Sequence, residues 1–240
     1  MNSHKRGLLP DTFGAYVLNN VLVKGKYDMP VVGYYGDDDP DYIALYTNKC
    51  EYLKTKNTCV AFFQFDTKFD SKNGLWNAII NADTRKLQRF KERFSGVKYA
   101  VCPDYSITGD MPLSMQIFNV YRSRVVGIWL RKECGVILIP NLRFNNKKSY
   151  DFCFDGIEYG SIVCLSIVGL CSKPADVLNL INGLHETIER IMPKRIILYG
   201  ECTDKKFNLI FKECIDNGIV VVRPESKVKK LWRKNYGFSE

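Results

Sequence analysis

The sequence predicts an α/β protein with a mostly parallel sheet built from about six strand–helix units. Two observations lead to this prediction. Uninterrupted apolar runs rich in Val and Ile recur along the chain, as expected of parallel strands that helices cover on both faces. Most of these runs are followed by a segment with the apolar spacing of a helix. The runs are CVAFFQF (59–65), VKYAVC (97–102), VILIP (136–140), SIVCLSIVG (161–169), RIILYG (195–200) and IVVVRP (219–224).

The helical segments carry their own start and stop signals. Apolar residues three and four positions apart form one buried stripe in segment 174–192, which Pro174 opens and Pro193 closes. A second stripe predicts a long helix over 112–132, with Asp110 as its candidate N-cap. A doubly wound sheet and an incomplete TIM-like barrel both use right-handed crossovers, so the pattern leaves these two architectures open.

The two ends of the chain differ from this middle part. Residues 1–58 contain two aromatic, β-rich runs, 31–35 and 42–47, which an acidic turn separates. We expect this segment to be a β-rich extension that forms a hairpin or a cap. Residues 59–224 are then the α/β domain, and residues 225–240 are a basic C-terminal tail.

The composition is that of an ordinary globular protein, with 46% hydrophobic and 25% charged residues in a chain of 240. No apolar run reaches the length of about 18 residues that spans a membrane. The N-terminus also lacks the apolar core of a signal peptide. We therefore expect a cytoplasmic protein without a membrane partner.

Cysteine and histidine usage argues against a structural zinc site. The nine cysteines form no C-x-x-C pair, several lie inside apolar runs, and only His4 and His185 could add imidazole ligands. We expect buried thiols. The chain also lacks a Walker loop, a G-x-G-x-x-G after a strand, H-E-x-x-H and G-x-S-x-G. The sequence therefore predicts neither a nicotinamide nor a flavin cofactor.

The net charge of +9 favours a polyanionic partner. Lys and Arg concentrate in residues 84–98 and in KVKKLWRK, 227–234, which sets a tryptophan among five cations. Aromatic rings beside cations suit single-stranded nucleic acid, whose bases stack and whose phosphates pair. The candidate nucleic-acid-binding residues are Lys229, Lys230, Trp232 and Arg233. A solubilising surface and a frayed basic tail explain the same residues.

Polar side chains follow the predicted strands at the carboxyl edge, where parallel α/β proteins keep their sites. In KYAVCPDYSITGDMPLSMQIF, for example, an apolar run ends in Asp, Tyr and Ser. The residues expected at this edge are Gln64, Asp66, Asp104, Tyr105, Ser106, Asn141, Arg143, Ser166, Tyr199, Glu201 and Arg223. Asp151 and Asp155 are expected to lean over it from the stretch 141–160, which we interpret as a loop or a short β excursion.

Two interpretations of these residues remain open. In the first, carboxylates hold Mg²⁺ beside a phosphate, since Mg²⁺ prefers oxygen ligands. The candidates are Asp104, Asp151, Asp155 and Glu201 for catalysis, Asp66 and Asp104 for the metal, and Asn141, Arg143, Tyr105, Ser106 and Arg122 for phosphate. In the second, the carboxylates cap turns and helices, and a buried ionic network pairs Arg122 and Arg124 with Asp104, Asp151 or Asp155.

Several segments resemble a family of phage and mobile-element proteins described only as a domain of unknown function. The resemblance covers roughly residues 59–224 and rests on CPDYSITGDMPLSMQIFNVYRSRVVGIWL, GVILIPNLRF, SYDFCFDGI, SIVCLSIVGL and RIILYG. The residues on the family pattern are Asp104, Asp110, Asn119, Arg122, Arg124, Asn141, Arg143, Asp151, Phe154, Asp155 and Gly156. Phe144 stands where that pattern has Trp. The resemblance implies a mobile-element context, which favours a role linked to DNA or RNA.

The sequence leads to one hypothesis and two alternatives. The first is a nucleic-acid-handling protein of a phage or mobile element, with divalent-metal-dependent phosphodiester or nucleotide chemistry at the carboxyl edge of the sheet. The second is an enzyme that acts on a small molecule such as a nucleotide. The third is a non-catalytic factor that binds another protein, whose identity the sequence does not indicate. Nothing in the sequence decides whether the protein is an enzyme.

Overall fold

The computed structural model of the protein describes residues 11–236. The helices are α1 Leu75–Ile80, α2 Thr84–Arg93, α3 Leu113–Cys134, α4 Lys147–Cys153, α5 Pro174–Ile191, α6 Asp204–Ile210, α7 Lys212–Asp216 and α8 Lys227–Tyr236. The strands are β1 Val23–Lys24, β2 Met29–Pro30, β3 Tyr42–Leu45, β4 Thr58–Ala61, β5 Tyr99–Val101, β6 Ile137–Ile139, β7 Asn141–Leu142, β8 Val163–Ser166, β9 Arg195–Tyr199, β10 Val220–Val222 and β11 Glu225–Ser226.

Two parallel sheets form the centre of the protein. One has five strands in the order β11-β3-β4-β5-β6, and the other has four in the order β10-β9-β8-β7. Every pairing within both sheets is parallel, whereas β1 and β2 form a separate antiparallel pair. The prediction of a mostly parallel α/β protein is confirmed. Among the described residues the strands form two sheets rather than one doubly wound sheet, and they form no closed barrel, so the predicted incomplete TIM-like barrel is not shown.

The two sheets are connected by strands that prolines interrupt. Pro140 alone separates β6 from β7, which pair with different sheets. Proline has no backbone N–H to donate, but the Pro140 carbonyl still accepts a hydrogen bond of 2.8 Å from Cys164 N–H. Arg223 and Pro224 separate β10 from β11 in the same way. Because the chain runs on through both breaks, the carboxyl ends of both sheets lie on the same side of the protein.

A shared core lies between the two sheets. Ile43, Val101 and Ile139 from the five-stranded sheet are buried in one cluster with Cys164 and Ile197 from the four-stranded sheet. The alternate residues of the same strands face the helices, in one cluster with α1 to α3 and another with α4 to α7. Burial on both faces explains why the strand sequences are uninterrupted apolar runs.

The predicted hairpin in the N-terminal segment is wrong. Strand β3 instead lies inside the five-stranded sheet, parallel to β4 and β11, and its Tyr42, Ile43 and Ala44 are buried. The run 31–35 contributes only an isolated parallel bridge between Val32 and Ile157. A hairpin would have left one face of β3 in water, at the cost of its apolar burial. The predicted boundary after residue 58 therefore falls within β4, directly after its first residue, Thr58.

The acidic turn between these runs binds basic residues where strands begin. Asp39 Oδ2 lies 2.7 Å from Arg195 Nη1, at the first residue of β9, and Asp38 Oδ2 lies 3.4 Å from Lys98 Nζ, just before β5. The turn therefore lies at the amino edge of the sheets, opposite the predicted site.

Within residues 225–236, the predicted basic tail forms the edge strand β11 and the helix α8. Val228 packs against the shared core, and Lys229 Nζ donates a 2.6 Å hydrogen bond to the Arg223 carbonyl. Residues 237–240 of the tail and 1–10 of the N-terminal segment, with His4, lie outside the described residues. The stretch 141–160, expected to be a loop or a short β excursion, begins with the short strand β7 but also holds the helix α4, which was not expected.

No helix within residues 11–236 combines the length and the apolar character that crossing a membrane requires. All nine cysteines are free thiols, and six of them are buried.

Candidate functional site

The first cluster at the carboxyl edge surrounds Asp104, which follows β5. Asp104 is 9% exposed, and its Oδ1 accepts a 2.7 Å hydrogen bond from Asn141 Nδ2. Its Oδ2 lies 3.5 Å from Nη1 of Arg143. Burial raises the pKa of this carboxyl, and the positive charge of Arg143 partly offsets that rise. Three residues predicted for the site thus meet. Strand β5 pairs with β6, and β7 continues the path of β6 after Pro140, so the carboxyl ends of β5 and β7 are neighbours.

A second cluster connects the ends of β4 and β5. Both carboxylate oxygens of Asp66 accept from Ser106 N–H at 3.2 Å, and Ser106 Oγ donates to Oδ1 at 2.8 Å. Asn119, on α3, donates through Nδ2 to the Ser106 carbonyl at 2.5 Å. The predicted Ser106 therefore fixes the loop after β5 through hydrogen bonds on both sides.

Arg122, on α3, balances the carboxylates of this region. Its Nη1 lies 2.5 Å from Asp70 Oδ2, and its Nη2 lies 3.9 Å from Asp66 Oδ2. Its guanidinium carbon also lies 3.9 Å from the centroid of the Tyr105 ring, which is a cation–π geometry. Burial raises the pKa of Asp70, and Arg122 lowers it. Arg122 is thus engaged by two carboxylates and by the faces of two aromatic rings, Tyr105 and, at 5.8 Å, Phe118.

Arg124 is buried without a carboxylate partner among the described residues. It is 2% exposed, and its Nη2 donates to the Cys153 carbonyl at 3.2 Å. The predicted pairing of this arginine with an aspartate is wrong. A cavity of about 10 Å³ lies beside it, and Arg124 Nε, Asn119 Oδ1 and Asn141 Oδ1 around it have no protein hydrogen-bond partner. That volume holds about one water molecule, which would satisfy these atoms.

Glu201 belongs to a third cluster, on the four-stranded sheet. It follows β9, and its Oε2 accepts a charge-assisted hydrogen bond from Arg223 Nη2, at the end of β10. Arg223 Nη1 also lies 3.8 Å from Asp204 Oδ1. Glu201 is therefore balanced by an arginine, as Asp70 and Asp104 are.

A large groove opens beside Glu201, with a volume of about 1170 Å³. One wall consists of the segments that follow β8 and β9, including Cys171, Cys202 and Lys206. The other wall is α8. Its residues in the groove are Trp232, Arg233 and Tyr236. We call this space the α8 groove.

Helix α8 presents two kinds of residue. Lys229 contacts the body of the protein through the Arg223 carbonyl and lies 3.4 Å from Glu225, and the Lys230 ammonium lies 5.6 Å from the Tyr42 ring centroid. Trp232 faces the α8 groove instead, one turn before Tyr236, and the two ring centroids are 5.7 Å apart. Of the four predicted nucleic-acid-binding residues, Lys229 and Lys230 therefore contact the body of the protein and Trp232 lines the groove. Arg233 lines the groove and also lies 3.1 Å from Glu225 Oε1.

Asp151 and Asp155 do not join the other predicted carboxylates. Asp155 Oδ2 accepts a 3.1 Å hydrogen bond from Lys26 N–H, and Asp151 is exposed on α4. Both carboxylates interact electrostatically with the guanidinium of Arg190, in the last turn of α5. Because α5 runs back from the carboxyl edge, its last turn lies near the amino edge. The expectation that Asp151 and Asp155 lean over the carboxyl edge is wrong.

The predicted metal ligands do not form a metal-binding cluster. Within residues 11–236, no group of three or more His, Cys, Asp or Glu side chains is close enough to hold an ion. Asp66 is occupied by Ser106 and Arg122, and Asp104 by Asn141 and Arg143. Two separate carboxylates with cationic neighbours make a poor site for Mg²⁺, which needs several free oxygen ligands.

Sequence reasoning missed three features of this edge. Asp70 follows Asp66 by one helical turn, a spacing that could have marked it as a second partner of Arg122. Tyr236 follows Trp232 by four positions, which places both rings on one face of a helix. Lys206 carries no such signal, because only the fold brings the segment after β9 to α8.

Comparison with known proteins gives the family. The sequence pattern described as "Domain of unknown function (DUF4417)" matches residues 22–216. The chain belongs to the DUF4417 family. The resemblance found in the sequence is thereby confirmed, but the DUF4417 domain starts earlier than residue 59, so it includes β1 to β3.

Two curated phage proteins are similar to this chain. The "Gene 1 protein" of Mycobacterium phage L5 is 32% identical over 164 residues, which are 68% of this chain and 66% of the phage protein. The "Gene 1 protein" of Mycobacterium phage D29 is 31% identical over 150 residues, which are 62% of this chain and 51% of the phage protein. The similarity thus spans about two thirds of the first relative and half of the second. No solved structure matches.

The limits of the DUF4417 domain divide the α8 groove. The wall that carries Cys171, Glu201 and Lys206 lies within residues 22–216, whereas Arg223 and α8 lie beyond them. The clusters of Asp66 and Asp104 lie entirely within the domain.

Proposed function

We propose that this DUF4417 protein binds single-stranded nucleic acid in the α8 groove. The observation that carries the proposal is the position of Trp232 and Arg233, which a docked helix holds as one wall of the groove. An aromatic side chain beside a cation on a fixed support is the arrangement on which bases stack and phosphates pair. A frayed tail would not provide it.

The size and lining of the α8 groove support this proposal. Its volume of about 1170 Å³ accommodates more than one nucleotide. Trp232 and Tyr236 give two stacking faces, and Arg233 and Lys206 give cations on opposite walls. Stacking tolerates any base, because every base has a π face. We therefore infer binding with little sequence preference.

The acidic residues of the groove do not cancel its attraction for phosphate groups. Glu201 is paired with Arg223, Asp204 lies 3.8 Å from the same guanidinium, and Glu225 lies 3.1 Å from Arg233, so each of these carboxylates lies beside an arginine. The chain as a whole carries a net charge of +9, which attracts polyanions over longer distances. The balance of charge therefore favours a phosphate backbone.

We assign a positioning role to the clusters of Asp66 and Asp104. Each carboxylate connects the end of one strand to the neighbouring strand end. Asp66, after β4, is bonded to Ser106, after β5, and Asp104, after β5, is bonded to Asn141 in β7. These clusters keep the carboxyl edge rigid, and no chemical step is assigned to them. The phage origin of the relatives is the second support for a role linked to DNA or RNA.

Fluorescence anisotropy with a labelled single-stranded oligonucleotide tests the proposal. We expect the logarithm of the association constant to fall linearly with the logarithm of the salt concentration between about 50 mM and 200 mM, because phosphate pairing releases counterions. Separate titrations with single-stranded DNA, single-stranded RNA and duplex DNA of one sequence complete the experiment. Absence of binding at low salt, or affinity that salt does not change, would refute the proposal.

A further inference from the structure

A second concave site lies on the five-stranded sheet, at the carboxyl end of β3. It has a volume of about 390 Å³, and α2 forms one side of it. Four cationic residues line it, together with the aromatic residues Tyr46 and Phe90. The cations are Lys49, Lys86, Arg89 and Arg93. We call this space the α2 pocket.

Arg93 is fixed in the α2 pocket by neutral groups. Its Nε donates to Tyr52 Oη at 3.2 Å, and its Nη2 donates to the Tyr46 carbonyl. Its guanidinium carbon lies 4.0 Å from the Tyr46 ring centroid. These partners orient the guanidinium, but none of them carries a negative charge. The pocket therefore has a positive charge held in place before any ligand arrives.

The other cations of the pocket leave that charge largely uncompensated. Within residues 11–236, Lys86 forms one ion pair, at 3.4 Å with Asp83, and neither Lys49 nor Arg89 has a carboxylate within 4 Å. Like charges that converge on one concave site repel each other, and a bound anion would turn that repulsion into attraction. A solvated surface would have interspersed acidic residues.

We propose that the α2 pocket binds a phosphate monoester. A monoester carries about two negative charges near neutral pH, and its three terminal oxygens suit the fork of an arginine together with lysine ammonium groups. Helix α2 and Tyr46 line the pocket, and its four converging cations suit a terminal group with about two charges better than a diester with one. The volume suits one nucleotide unit.

The same chemistry has two sources, a free mononucleotide and the phosphorylated end of a nucleic-acid strand. The second agrees with the position of the pocket. Strand β3 pairs with β11, which leads directly into α8, so the α2 pocket and the α8 groove open from neighbouring strands on one edge. The proposal itself does not require the α8 groove, because it rests on the α2 pocket alone.

Matched charge reversals on one helix test the proposal. Arg89→Glu changes the pocket, whereas Arg85→Glu makes the same change on an exposed residue of α2 that does not line it. The probes are inorganic phosphate, adenosine monophosphate, and one oligonucleotide with and without a 5′-phosphate. Calorimetry measures the small probes, and anisotropy measures the oligonucleotides.

We expect the 5′-phosphate to strengthen binding of the oligonucleotide by about tenfold, and Arg89→Glu, but not Arg85→Glu, to abolish that difference. Binding of phosphate and adenosine monophosphate that only Arg89→Glu abolishes would support the proposal with a free nucleotide as the source. Equal affinity of both oligonucleotides, with no binding of the small probes, would overturn it and leave the α8 groove untouched. If Arg89→Glu abolished binding of both oligonucleotides, that result would count against the α8 groove as the binding site. Binding of the small probes would then decide about the α2 pocket.

Discussion

Replacing Arg122 by methionine is expected to lower the free energy of unfolding by about 3–5 kcal/mol near neutral pH. Arg122 lies 2.5 Å from Asp70, and both side chains are at most 15% exposed. Without the guanidinium, Asp70 would be a buried charge without a partner, which costs more than the ion pair itself contributes. The substitution also removes the cation–π contact with Tyr105.

The loss is expected to shrink in acid. Burial raises the pKa of Asp70 above its ordinary 3.8, and removal of Arg122 would raise it further. A carboxyl whose pKa is raised by folding binds its proton more tightly in the folded than in the unfolded state. Stability from this group is therefore present at low pH and decreases as pH rises from 3.8 through the folded-state pKa. Near pH ~4 a protonated Asp70 needs no cation, so the variant should approach the wild type.

Urea unfolding of the Arg122→Met variant at the two pH values measures this effect. Arg131→Met is the matched control, since Arg131 lies on the same helix and forms no ion pair among the described residues. Adding Asp70→Asn to the Arg122→Met variant should recover part of the loss, because an amide is cheaper to bury than a lone carboxylate. Equal losses in Arg122→Met and Arg131→Met would show that the Asp70 pair does not stabilise the fold.

Replacing Trp232 by alanine is expected to weaken binding of single-stranded nucleic acid by about 10–100-fold, because stacking on an aromatic side chain contributes about 1–3 kcal/mol per base. The fold should be unaffected. Helix α8 is anchored by Val228 and Lys229, and Trp232 lies on the groove side. Anisotropy titration of the variant at fixed salt measures the change.

Tyr159→Ala is the control for this experiment. Tyr159 is 70% exposed and lies before β8, at the amino edge of the sheets. Its removal subtracts an exposed aromatic ring of similar size without changing the α8 groove. If both variants bind as the wild type does, or lose affinity equally, stacking on Trp232 does not contribute.

Much of the fold could be predicted from local patterns. All six apolar runs contain strands, and the stripe at 174–192 matches α5 closely. Burial on both faces of a strand, or on one face of a helix, requires apolar residues at regular positions along the sequence. The partners of a strand leave no such pattern. Strand β3 therefore looked like half of a hairpin, although it pairs with β4 and with β11, which lies about 180 residues away in the sequence.

The candidate site was predictable to the same extent. Asp104, Asn141 and Arg143 were expected together because each follows a parallel strand, and they do meet. Asp151 and Asp155 were misplaced because α4 was not predicted, so the path of the chain after β7 was unknown. The charge pattern marked α8 but could not indicate which of its residues face the protein, since that depends on the contact with Arg223 and Tyr42.

Photo-cross-linking tests the central claim, nucleic-acid binding in the α8 groove, most directly. An oligonucleotide with 5-iodouracil at one position would be irradiated on the wild-type protein, and the cross-linked peptide identified by mass spectrometry. We predict cross-links to Trp232 or Tyr236, whose rings line the groove. Cross-links confined to other parts of the chain, with neither of these residues modified although the oligonucleotide binds, would contradict the account.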